Sequence, residues 1–116
     1  MKTILVFFTV FSGFLNAVIA QENSFLVRPY LQDAEPNSIK IMWETAQDGE
    51  SLVEWGTPPK LGKKNSGTSF KLTFGPSRLH EVQLNGLKRF TEYYYRVKTG
   101  KLTSDIFQFK TPPFSG

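Results

Sequence analysis

From Phe25 onward the chain alternates apolar and polar residues with a period of two. That is the spacing of strands whose successive side chains point to opposite faces. In "SIKIMWET", Ile39, Ile41 and Trp43 fall on one face and Lys40, Met42 and Glu44 on the other. "SLVEWG" puts Val53 with Trp55, "LHEVQL" puts His80 with Val82 and Leu84, and "YYYRV" puts Tyr93 with Tyr95 and Val97. "IFQFK" aligns Phe107 with Phe109, and "FLVRPYL" opens the series. These six runs are rich in β-branched and aromatic residues, which suit a pleated, half-buried surface. Turn residues part them at Glu35-Pro36-Asn37, Gln47-Asp48-Gly49-Glu50, Gly56 to Gly67, Gly75-Pro76-Ser77, Asn85-Gly86 and Thr99-Gly100-Lys101. No helical period of ten or more residues appears beyond residue 20. The pattern predicts an all-β fold of two packed antiparallel sheets. Asp48-Gly49 suits either a tight hairpin or an arch between sheets.

The stretch "LNGLKRFTEYYYRV" sharpens this expectation. Three adjacent tyrosines on a strand cannot form one site, because neighbours face opposite ways. Greek-key sandwiches use one tyrosine at the entry to a late strand, its hydroxyl bonded to backbone a few residues upstream. Tyr93 stands in that position, after a turn at Asn85-Gly86 anchored by Leu84 and Leu87. Tyr95 is then expected in the core with Trp43 and Trp55, and Tyr94 on the outer face.

The first twenty residues read differently. Lys2 precedes an apolar stretch from Ile4 to about Leu15, and Val18-Ile19-Ala20 offers a small-residue cleavage site. This is the pattern of a secretory signal cut before Gln21. The uninterrupted apolar part is too short for a stable membrane span. A secreted, periplasmic or cell-surface location follows. Loss of residues 1–20 changes the balance of basic to acidic residues from 14 against 10 to 13 against 10. A scattered excess this small does not call for nucleic acid. The chain has no cysteine, so a small exported domain must be held by apolar burial alone.

Together, Trp43 and the tyrosine stretch resemble the fibronectin type III fold. "RPYLQ" at 28–32, "SIKIMWET", "SLVEWG" and "FQFKTPP" at 107–113 resemble, in order, the N-terminal domain of purple acid phosphatases. The resemblance covers about Phe25 to Pro113, giving a domain at 21–113 and, at 114–116, the start of a linker or a truncated end. It implies a parent enzyme that hydrolyses phosphate monoesters with two metal ions, iron paired with iron, zinc or manganese. It also implies that the ligands lie in a separate downstream domain, in motifs such as D-x-G, G-D-x-x-Y, G-N-H-[DE] and G-H-x-H.

None of those motifs occurs in this chain, and there is one histidine. A dinuclear site needs several histidines and carboxylates, so no residue is assigned a catalytic, cofactor or metal-binding role, and no small-molecule substrate is expected. His80 shares a face with Val82 and Leu84 and reads as structural. Lys60, Lys63 and Lys64 in "GTPPKLGKKNSG" read as a solvated loop, since the stretch lacks phosphate-loop spacing. Ser66, Ser69 and Ser77 have no histidine in a plausible triad order. The preferred function is an accessory domain packing on a catalytic metallophosphoesterase domain. The alternative is a free-standing module that binds protein or glycan. Either would use exposed aromatics, for which Tyr30, Phe70, Phe74, Tyr94 and Phe114 are the candidates.

Overall fold

A computed structural model describes residues 25–58, 60–73 and 75–115. The proposed signal, Phe74 and Gly116 lie outside the described residues. Nine strands occur: β1 Phe25–Glu35, β2 Ser38–Thr45, β3 Leu52–Gly56, β4 Lys63–Ser66, β5 Thr68–Lys71, β6 Arg78–Leu84, β7 Glu92–Thr99, β8 Leu102–Thr103 and β9 Phe107–Lys110. One sheet runs β1-β2-β6-β5. The other runs β4-β3-β7-β8, with β9 also paired to β7. All pairings are antiparallel.

The inner faces follow the alternation of the sequence. Ile39, Ile41 and Trp43 of β2 and Val82 and Leu84 of β6 meet Val53 and Trp55 of β3, Tyr93, Tyr95 and Val97 of β7, and Phe109 of β9. Tyr93 packs edge-on to Trp55 and stacks on Phe109, with centroids 5.7 and 5.6 Å away. Phe25 and Phe107 close the sides of this core. Met42 belongs by alternation to the outer face, yet it is only 6% exposed. In the register it lies between Tyr30 and Glu81, whose long side chains flank a thioether that adapts to irregular space.

Asp48-Gly49 lies in an arch, because β2 and β3 belong to different sheets. The segment 56–67, expected as a loop, contains β4, which pairs with β3 from Leu52↔Ser66 to Trp55↔Lys63. β4 and β5 are nearly one strand that changes sheet at Gly67. The Gly67 amide donates to the Ser51 carbonyl at 2.9 Å. Its α-carbon lies so near the Glu81 carbonyl that a Cβ would overlap backbone there and come within 2.9 Å of Val82 Cα. Only glycine allows this approach. The switch gives each sheet an additional short edge strand, and with the two-residue β8 these bring the six runs read from the sequence to nine strands.

The corner between β6 and β7 is tied from several directions. Tyr93 Oη accepts from the Lys88 amide at 2.9 Å, five residues upstream. Leu87 N–H donates to the Asn37 carbonyl, and the Asn37 amide donates back to the Leu87 carbonyl. Gly86 takes φ of 68° to make the turn, a conformation glycine enters without a Cβ clash. Thr111, just past β9, accepts from the Thr91 amide at 2.9 Å and donates to the Lys88 carbonyl at 2.6 Å.

Two substitutions test these constraints. Gly67→Ala is expected to lose about 1–3 kcal/mol, the usual range for overpacking. Tyr93→Phe is expected to lose about 1–3 kcal/mol through an amide left without its partner. Urea unfolding of each variant reads both changes as a lower midpoint at unaltered slope.

Candidate functional site

A catalytic centre needs titratable groups that converge. His80 is fully buried and stacks on Trp43, ring centroids 5.2 Å apart and 9° from parallel. Nε2 lies 2.8 Å from Thr45 Oγ1, and Nδ1 lies 2.8 Å from Ser51 Oγ. Thr45 directs its single hydroxyl hydrogen to the Gln47 carbonyl at 2.7 Å. Its oxygen therefore accepts from His80 Nε2–H, and Ser51 donates to Nδ1. Burial favours the neutral ring, which engages both nitrogens in this way. Burial holds its pKa below the ordinary 6.5, helped by the Arg78 charge and opposed by Asp48. Beside it, Trp43 Nε1 donates to Thr99 Oγ1 at 2.8 Å. Burial also pushes the Tyr95 phenol up to about 12, so it stays protonated at any working pH.

Glu54 sits on the outer face of the second sheet with a side chain only 9% exposed. Arg96 Nε donates to its Oε1 at 2.8 Å, with Lys98 Nζ 3.5 Å from the same oxygen and Lys64 Nζ 4.0 Å from Oε2. The Arg96 hydrogen bond, against some desolvation, holds the Glu54 carboxyl below its ordinary range. Lys63 and Lys64 are adjacent on β4 and point to opposite faces: Lys63 Nζ lies 5.0 Å over the Trp55 ring while Lys64 meets Glu54. They form no common cradle for an anion. Among the described residues no group of three or more histidine, cysteine or acidic side chains is arranged to hold a metal ion.

The surface aromatics are spread over three places. Tyr30 and Phe70 share the outer face of the first sheet but lie on its two edge strands, β1 and β5. The register joins them through two rows, Val27–Glu44–Leu79–Phe70 and Tyr30–Met42–Glu81–Thr68. Tyr94 lies half-buried on the outer face of the second sheet, lining a hollow of about 240 Å³ with Ile106, Phe107 and Gln108. A shallow groove of about 390 Å³ runs beside it between β1 and the β8–β9 segment, lined by Phe25, Arg28, Leu102, Asp105 and Phe107 among others. Phe114 stands apart at the end of the sandwich where the chain leaves β9, 77% exposed. The four described candidates therefore do not make one site.

Exposed apolar residues that the period-two reading passed over are Leu26, Val27, Leu31, Phe90 and Ile106. Phe90 is the notable one. It is 59% exposed and takes φ of 51°, a left-handed conformation that is a real outlier for a bulky residue. Its amide donates to the Pro112 carbonyl at 3.4 Å, and Lys110 Nζ lies 3.8 Å over its ring. The signal in the sequence was its place, directly before Thr91 and Tyr93 in the corner.

Comparison with known proteins places this sandwich. The family model for the purple acid phosphatase N-terminal domain matches residues 26–111, from the first turn of β1 to the Thr111 latch. The chain belongs to that family. Within it, 67 residues are 40% identical to purple acid phosphatase 21 of Arabidopsis thaliana, covering 54% of this chain and 15% of that protein. The chain thus spans about a seventh of the length of that relative. Among solved structures, two of the sensor domain of the anti-sigma factor RsgI4 from Pseudobacteroides cellulosolvens share the fold. One superposes with TM-score 0.58 at 16% identity, covering 78% of this chain and 95% of its own. The other has TM-score 0.54 at 14% identity, covering 77% and 76%. At such identities the likeness is one of architecture.

The two buried or enclosed titrating groups predict a stepped acid response. His80 has a folded pKa below its unfolded one, so the unfolded chain binds the extra proton. Its contribution is complete above pH 6.5 and declines as pH falls below that value, by at most about 1.4 kcal/mol per unit. Glu54 also has a depressed folded pKa, so its contribution is lost at lower pH, as acidification passes below 4.5 towards the folded value. Urea midpoints measured across this range should fall in two stages, and His80→Gln should remove the first.

Proposed function

We propose that this chain supplies the accessory, non-catalytic β-sandwich of an exported purple-acid-phosphatase-like metallophosphoesterase. On this reading the dinuclear metal site, iron with iron, zinc or manganese, belongs to a catalytic domain downstream. That domain is also the sandwich's partner. The family match supports the lineage, and the length of the Arabidopsis relative beyond the matched stretch is consistent with a further domain.

The observation that carries the non-catalytic part is the state of His80. It is the one histidine of the sequence, and both its ring nitrogens are engaged by Thr45 and Ser51 inside the core. A dinuclear phosphatase centre draws on several imidazoles and carboxylates. The residues described here do not fit such a centre, and no step of phosphate hydrolysis is assigned to them. The enclosed carboxylate, Glu54, is held by three cations, and among the described residues no group of three or more histidine, cysteine or acidic side chains is arranged to hold a metal ion.

Export rests on the leader-like residues 1–20. It is checked by N-terminal sequencing of the mature protein, which should begin at Gln21. Two further measurements test the main reading. The purified chain should give no turnover of a phosphate monoester above the blank with added iron, zinc or manganese. Reading the coding DNA past the codon for Gly116 should reveal an open frame that continues into D-x-G and G-N-H-[DE] motifs. Metal-dependent turnover by the chain alone would overturn the non-catalytic assignment, and an immediate stop codon would overturn the accessory one.

A further inference from the structure

We infer that the end of the sandwich carrying Phe90 and Phe114 is the seat of the catalytic domain, which docks an apolar pocket rimmed by carboxylates over the Phe90 ring. This rests on the accessory-domain reading above and specifies which surface that reading uses.

The fold requires the left-handed conformation at position 90 but not the phenylalanine that adopts it. The corner from Leu84 to Tyr93 needs a left-handed residue at position 90, and its backbone bonds are made by amides and carbonyls. Phe90 N–H meets the Pro112 carbonyl, Thr91 N–H meets Thr111 Oγ1, and Thr91 Oγ1–H meets the Arg89 carbonyl. Glycine or asparagine at position 90 would make the same backbone bond with less strain. The benzyl group contributes nothing to the core: it is 59% exposed. Two unfavourable features, a strained backbone and a displayed aromatic ring, coincide at one residue. Strain of this kind persists only where the surrounding structure over-determines it, and it clusters at ligand clamps and similar functional sites.

Other apolar surfaces carry less. Tyr30 and Phe70 are strand residues in ordinary register on opposite edges of one sheet, with Glu44 and Glu81 between them. Asp33 also has a positive φ, of 53°, but aspartate enters that region readily. Phe90 is the exposed aromatic residue among the described ones that is held in a strained conformation.

Its place selects the occupant. The Phe90 amide grips the Pro112 carbonyl, so the segment 112–115 leaves the sandwich beside the Phe90 ring. Phe114, 77% exposed, is two residues beyond that grip. A domain joined through this segment is held at high local concentration against this end of the sandwich and not against the far one. The charges specify its surface. Within 88–92 and 110–114, Lys88, Arg89 and Lys110 carry positive charge against Glu92, and Lys110 already lies over one side of the ring. A complementary partner offers an apolar hollow with acidic residues around it.

The test compares the 116-residue chain with the complete product of its open reading frame, each with and without Phe90→Asn. Asparagine tolerates the left-handed conformation, so Phe90→Asn should leave the melting temperature of the 116-residue chain unchanged or raised. In the complete product, amides 88–92 should exchange more slowly than in the 116-residue chain, and Phe90→Asn should abolish that difference and separate the melting of the sandwich from that of the catalytic domain. If amides 88–92 exchange equally in the two proteins, the docking surface is wrong while the accessory reading stands. If the frame encodes no catalytic domain, the accessory reading fails and this seat fails with it. If the 116-residue chain forms dimers that Phe90→Asn dissociates, the occupant is a second copy and the proposal is overturned.

Discussion

A two-sheet sandwich without a disulfide must fix one sheet against the other by contacts that cannot slide. Here that constraint is met by a buried polar layer at one end of an otherwise apolar core. Trp43 and His80 are paired across β2 and β6 and stack face to face. From this stacked pair, hydrogen bonds cross to the second sheet and its approach: Trp43 to Thr99 at the end of β7, and His80 to Ser51 just before β3. Apolar burial supplies most of the driving force but tolerates small shifts. A buried donor or acceptor that loses its partner does not. One register satisfies both hydrogen bonds, and the alternating strands then bring Val53, Val82, Leu84 and Val97 into place between the sheets.

The same layer engages the histidine that the sequence reads as structural. Histidine at a neutral pKa, poised between two hydroxyls, is the side chain one would first suspect of catalysis. Its partners instead close the network inward: Thr45 turns its hydrogen to the Gln47 carbonyl, and no atom of the imidazole is exposed. The arrangement uses polarity for specificity of packing, and it makes the fold sensitive to acid because the neutral ring is the one that fits. Glu54 plays a related part outside the core, setting Lys64, Arg96 and Lys98 around a single carboxylate.

Much of the architecture was legible because long strands declare themselves by period. Every inner-face residue read from β2, β3, β6 and β7 lies in the core, including the corner tyrosine and the paired leucines 84 and 87. The short strands were not legible. Lys63–Ser66 and Thr68–Lys71 are four residues each, polar, and joined at a glycine; their pairing is set by the neighbouring edges, not by their own pattern. Surface function was harder still. Tyr30, Phe70, Tyr94 and Phe114 were legible as aromatics outside the core pattern, but strand order decides which of them are neighbours, and that order is not a local property. Phe90 was hidden for another reason: it sits in a turn, where side-chain periodicity carries no information and only the backbone angle reveals the cost of its being there.

That cost connects the fold to its use. The corner holding Phe90 is tied by several bonds, with Tyr93 bonded to Lys88 and Thr111 bonded to both Thr91 and Lys88. Thr111 is also the last residue of the family match, so the tie that finishes the sandwich is the one from which the chain departs. On the accessory reading proposed above, in which this sandwich holds another domain, a rigid departure point matters. If the exit were loose, a neighbouring domain would sample many orientations and each contact would have to offset the entropy of fixing it. Locking the exit to the corner fixes that entropy during folding of the sandwich itself. The strain at Phe90 is then sustained by bonds already made, and the ring is presented in one orientation beside the departing chain.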